Sequence, residues 1–96
     1  MDISLESVCY YIGTDPSDQM ESALVSGLVA QSKAKLSIQT GQDLDKLPDT
    51  YKELAAETIN AMVFLAYYGN RDDIKTAHLS RFISSNVFLL TYAPKE

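Results

Sequence analysis

Glycine closes three successive stretches of helical periodicity in this chain, and that punctuation limits the fold more than any other feature. Leu5, Val8, Cys9 and Ile12 fall at i, i+3, i+4 and i+7, one face of a helix. Gly13 follows them, the residue best suited to the left-handed conformation that ends helices. Met20, Ala23, Leu24, Gly27, Leu28, Gln31, Ala34 and Ile38 keep the same spacing until Thr40-Gly41. Tyr51, Leu54, Ala55, Thr58, Met62, Leu65 and Ala66 keep it again until Gly69-Asn70. The starts are marked as well. Ser4 is a candidate N-cap, with Ile3 before it placed to staple onto Val8. Thr14 to Asp18 reads as a turn followed by capping residues, and Pro48 suits the first position of a helix. Asp49 and Glu53 then sit where the positive end of a helix dipole favours acids.

From Ile59 to Tyr68 only Asn60 interrupts an apolar surface that runs nearly all round, so the third helix is expected at the centre. His78, Leu79, Phe82, Ile83, Val87 and Leu90 trace a fourth helix. Val87 to Tyr92 also reads as a strand, and Pro94 ends regular structure. The expected fold is all-α, with about four helices. Two long antiparallel helices form its core, flanked by a short N-terminal helix and a C-terminal helix or tail.

Composition narrows the functional classes. Ninety-six residues make one domain, residues 1–96, which buries roughly 60–65% of its unfolded surface. Residues 86–96 are expected to form a tail ordered by a partner. One cysteine excludes an intrachain disulfide and fits a reducing compartment. Met1-Asp2 lacks the basic-then-apolar opening of a secretion signal, and no run approaches the ~20 apolar residues of a membrane span. Thirteen acids against eight bases, a net −5, disfavour unaided binding to nucleic acid or an anionic membrane.

The second helix carries two apolar stripes. At 100° per residue, Val25, Val29 and Leu36 lie roughly 150° from the Met20–Ile38 stripe. A second stripe implies a second contact, with another helix of the chain or with another subunit. Val25, Val29 and Leu36 are assigned here as the candidate subunit interface.

No arrangement for catalysis emerges: catalytic, cofactor and metal residues are each expected to be none. Ser32-x-x-Lys35 matches the pattern of penicillin-binding enzymes, but the Ser-Asp-Asn and Lys-Thr-Gly companions are missing. Asp43, Asp45 and Asp49 lack the glycine and closing glutamate of a calcium loop. His78, the single histidine, and Cys9 are too few for a zinc site, and Cys9 belongs to an apolar helix face. The tyrosines Tyr10-Tyr11, Tyr67-Tyr68, Tyr51 and Tyr92 have no interleaved bases, which favours packing over base stacking.

The order of these signals resembles a known family. A short leading helix, Ile3-Ser4-Leu5-Glu6-Ser7-Val8, precedes the acidic turn Asp15-Pro16-Ser17-Asp18. A long helix ends in Thr40-Gly41, and Leu47-Pro48 opens another that finishes Tyr68-Gly69-Asn70-Arg71-Asp72. With Leu89-Leu90-Thr91-Tyr92 near the end, the chain is similar over about residues 3–92 to the head–tail connector, or adaptor, proteins of tailed double-stranded DNA bacteriophages. It departs from them at Gln42, where arginine is frequent, and in the polar Ser84-Ser85-Asn86.

The resemblance implies a structural virion protein at the head–tail interface, assembled in the host cytoplasm. Its copies would form a ring, commonly dodecameric, beneath the portal protein. The ring would extend the DNA exit channel and receive the next connector, stopper or tail-completion protein. Val87, Phe88, Leu89, Leu90 and Tyr92 are the residues expected to reach the portal. No cofactor and no membrane are implied. About twelve copies at −5 each would carry around −60, a charge that lets DNA pass without sequence-specific binding. The alternative is a small cytosolic helical protein-binding or regulatory module acting as a homodimer.

Overall fold

Serine, aspartate and glycine set the helix limits where their chemistry requires. The computed structural model describes residues 3–68 and 74–94. Among these residues lie α1 (Leu5–Ile12), α2 (Gln19–Thr40), α3 (Asp49–Tyr68) and α4 (Ile74–Thr91), a single 3-10 turn at Leu44–Lys46, and no strand. The fold is all-α. Ser4 caps α1 by accepting from the Ser7 N–H, and Asp18 caps α2 by accepting from Met20 and Glu21. Both helices end on a glycine in the left-handed region, Gly13 at φ 82° and Gly41 at φ 67°, where a side chain would be strained. The Gly69 stop, and the Gly69-Asn70-Arg71-Asp72 part of the motif, lie outside the described residues.

The central helix is α3. It touches every other helix and the 3-10 turn, as its all-round apolar surface requires. Ala55, Thr58, Ile59, Ala61 and Val63 are buried along it. Val8, Cys9 and Ile12 of α1, Val25 and Leu36 of α2, Leu44 and Leu47 of the connecting loop, Leu90 of α4 and Ala93 beyond it complete the core. α2 and α3 run antiparallel, because the Tyr67 hydroxyl near the end of α3 donates to Glu21 in the first turn of α2. The C-terminal ends of α2 and α4 lie together, because Gln42, two residues past α2, bonds the last turn of α4.

One expectation is corrected here. Residues 86–91 are neither strand nor loose tail: they complete α4, an eighteen-residue helix. Asn86 and Leu90 are buried, and Ala93 beyond the helix is buried too. An apolar face of this segment packs on the chain's own core against α3 and α2. Between α2 and α3, Asp43–Leu47 contains the 3-10 turn, with Asp43 accepting from the Asp45 N–H as its cap.

Candidate functional site

The chemically suggestive residues do not converge. The Cys9 thiol is buried in the core, whereas His78 is exposed on α4, so no nucleophile–base pair faces solvent. The Asp43 carboxylate caps the 3-10 turn by accepting from the backbone N–H of Asp45. Among the described residues no group of three His, Cys, Asp or Glu side chains is placed to hold a metal ion. No described helix is long and apolar enough to cross a membrane.

Hydrogen bonds at the two ends of the bundle give two of the singled-out motifs a structural role. At one end the Tyr68 hydroxyl donates to the Ile12 carbonyl, satisfying an acceptor left open by the end of α1. Beside it the Tyr67 hydroxyl donates to Glu21 Oε2 at 2.6 Å. That bond, with some desolvation and the neighbouring negative charge, pushes the Tyr67 phenol from 10 up to about 12. Tyr11, Phe64, Tyr68 and Tyr67 form a run of ring contacts over the same end, with centroids 4.7 to 6.1 Å apart.

At the other end sits Gln42, the position where the resembled family often has arginine. It is buried, and its Nε2 lies 3.1–3.2 Å from the carbonyls of Leu90, Thr91 and Ala93. The Leu90 carbonyl also accepts from the Ala93 N–H, whereas those of Thr91 and Ala93 are acceptors that the end of α4 would otherwise leave open. The Ser37 hydroxyl donates to the backbone carbonyl of Gln42 at 2.7 Å, which pins the main chain that carries the amide.

The candidate interface strip is corrected. Val25 and Leu36 are fully buried in the chain's own core, and Val29 is partly buried against it. The stripe read as core-facing is the exposed one: Met20 is 85%, Leu24 52% and Ile38 82% exposed. The reason lies in hydroxyl chemistry. Ser22, Val25, Val29, Ser32, Leu36 and Thr40 follow one another in steps of three and four, a continuous seam once serine and threonine count as core residues. Thr40 Oγ1 donates to the Leu36 carbonyl and Ser22 Oγ to the Pro16 carbonyl, so these hydroxyls are satisfied without water. That spacing was the available signal, and a count of apolar residues alone passes over it.

The candidate tail divides. Leu90 is fully buried and Val87 partly buried, so neither is free for a partner. Phe88, Leu89 and Tyr92 remain exposed on the outer side of α4, with the Phe88 and Tyr92 rings 5.2 Å apart. Phe82 lies on that outer side a turn and a half earlier, together with His78, Arg81 and Ser85.

Between α2, α3 and α4 runs a groove of about 560 Å³. Leu28, Met62, Leu65, Ala66 and Ile83 give it apolar walls, and Gln31, Lys35, Gln39, Ser80 and Ser84 supply exposed polar groups along it. Ser32 and Lys35 both line it. Ser84 of the polar Ser84-Ser85-Asn86 stretch therefore borders the groove, Ser85 faces outward, and Asn86 is buried with its Nδ2 unpaired.

The molecule thus presents two apolar faces to solvent, one on α2 and one on α4, with no assembled catalytic group among the described residues. No family model, no curated protein and no solved structure matches this chain.

Proposed function

We propose that this chain is a structural, non-enzymatic virion protein: an adaptor whose copies form a ring beneath a phage portal and present a docking surface for the next connector. The reading rests on the sequence resemblance, and one structural observation carries it further. The outer stripe of α2 and the outer stripe of α4 are separate apolar faces. A closed ring joins copies head to tail and so needs two different surfaces on each copy, whereas a two-fold dimer needs one self-complementary surface. A small homodimeric regulator would leave one face bare to solvent, which single-chain proteins tend to avoid.

Portal contact falls to Phe88, Leu89 and Tyr92, the residues of the candidate tail that remain exposed. Val87 and Leu90 have no part in it. The decisive experiment is image reconstruction of tailed particles bearing a tagged copy of the chain. Tag density in a ring between portal and tail supports the adaptor role. Tailed particles without it, or a stable two-fold dimer absent from particles, overturn it.

A further inference from the structure

Charge is segregated along this chain in a way that the two apolar faces share. Residues 1–32 hold five acids, Asp2, Glu6, Asp15, Asp18 and Glu21, and no base, so a charge equal to the whole net −5 resides there. α4 is the opposite: it holds Lys75, His78 and Arg81, and no acid. The acids at the start of α2 are fixed. Asp18 is the N-cap, and Asp15 accepts from the Ser17 N–H and hydroxyl, which holds its carboxyl below the usual range.

The apolar groups follow these charges closely along the chain. Met20 and Leu24 are exposed within two turns of Asp18, on a side of α2 that also carries Ala23 and Gly27, small residues that let a neighbouring helix come near. Phe82 is exposed beside Arg81. Each face matches the other better than it matches itself, in sign and in apolar content. We propose that a second copy of this chain covers them. The acidic, apolar start of α2 in one copy packs on the acid-free outer face of α4 around Arg81 and Phe82 in the next, leaving Phe88, Leu89 and Tyr92 clear.

The assignment rests on the ring reading above and specifies its contact. Its test is cross-linking between two single-cysteine-addition variants, Ala23→Cys and Ser85→Cys. Both positions are exposed, and the buried Cys9 stays out of reach of the reagent. The variants are concentrated separately and mixed, then treated with a short bis-maleimide. A head-to-tail contact gives product in the mixture at least tenfold above either variant alone. The yield should fall several-fold between low salt and about 0.5 M salt, as screening of opposite charges requires. Arg81→Glu in the Ser85→Cys chain should remove most of it while the helical signal is kept. Product from one variant alone, equal product in all three samples, or none in the mixture overturns the assignment. Failure of the ring reading looks different: there the mixed product forms, but the chain is missing from tailed particles.

Discussion

The two ends of the bundle solve the same problem with different chemistry. Each must satisfy the last carbonyls or the first turn of a helix that stops against its neighbours. At one end a single neutral amide, Gln42, is buried and gathers three carbonyls of the α4 terminus. At the other, two phenols divide the work, Tyr68 on the α1 terminus and Tyr67 on Glu21. The amide end is dry and neutral, so its worth is set by what remains unpaired when it is lost. The phenol end lies at the edge of solvent and uses a charged acceptor, so its worth depends on pH and is smaller.

Truncation before Val87 breaks the comparison most severely. It removes Leu90 and Ala93 from the core together with all three carbonyls held by Gln42. Cooperative unfolding should disappear in a thermal melt followed by circular dichroism; a retained sharp transition would show that α4 does not depend on its last turns. Gln42→Ala comes next. It strands buried carbonyls and leaves a small cavity, and urea titration should show a loss of about 2–3 kcal/mol. Tyr68→Phe keeps the ring packing and removes one bond, a loss of about 1 kcal/mol by the same measurement.

Tyr67→Phe sharpens the comparison through pH. Folding raises the Tyr67 pKa from 10 to about 12, so the folded state favours the neutral phenol. Its stabilisation is complete below pH 10 and is lost as pH rises from 10 through about 12. The stability difference between wild type and Tyr67→Phe should therefore shrink across that window, whereas the Gln42→Ala deficit should not track it. A Tyr67→Phe difference independent of pH would mean that the Glu21 bond contributes nothing in solution.

How far these ends were legible from sequence follows from the kind of interaction. Caps act over three or four residues, so Ser4, Gly13 and Gly41 are legible from their neighbours alone, and the cap of α2 to within the Thr14–Asp18 turn. The central position of α3 was legible too, because an all-round apolar helix has only one place to go. The outward side of α2 was not. Its inner seam owes half its length to Ser22, Ser32 and Thr40, and the hydroxyls of Ser22 and Thr40 rely on acceptors supplied by the folded backbone. The partners of Gln42 were equally invisible, since nothing near position 42 signals a helix end about fifty residues on. Val29→Asp therefore strikes a position packed on the core and should destabilise the monomer.

The Gln42 tie also orders events in time. Its bonds join positions 48 to 51 residues apart, so a long loop must close before any of them forms. α2 and α3 meet across a short connection and pay far less for closure, so they pair first. The last turn of α4 is therefore expected to dock late, after the barrier to folding has been crossed. Loosening it should leave the refolding rate of the chain nearly unchanged and raise the unfolding rate, so that only one arm of the chevron moves.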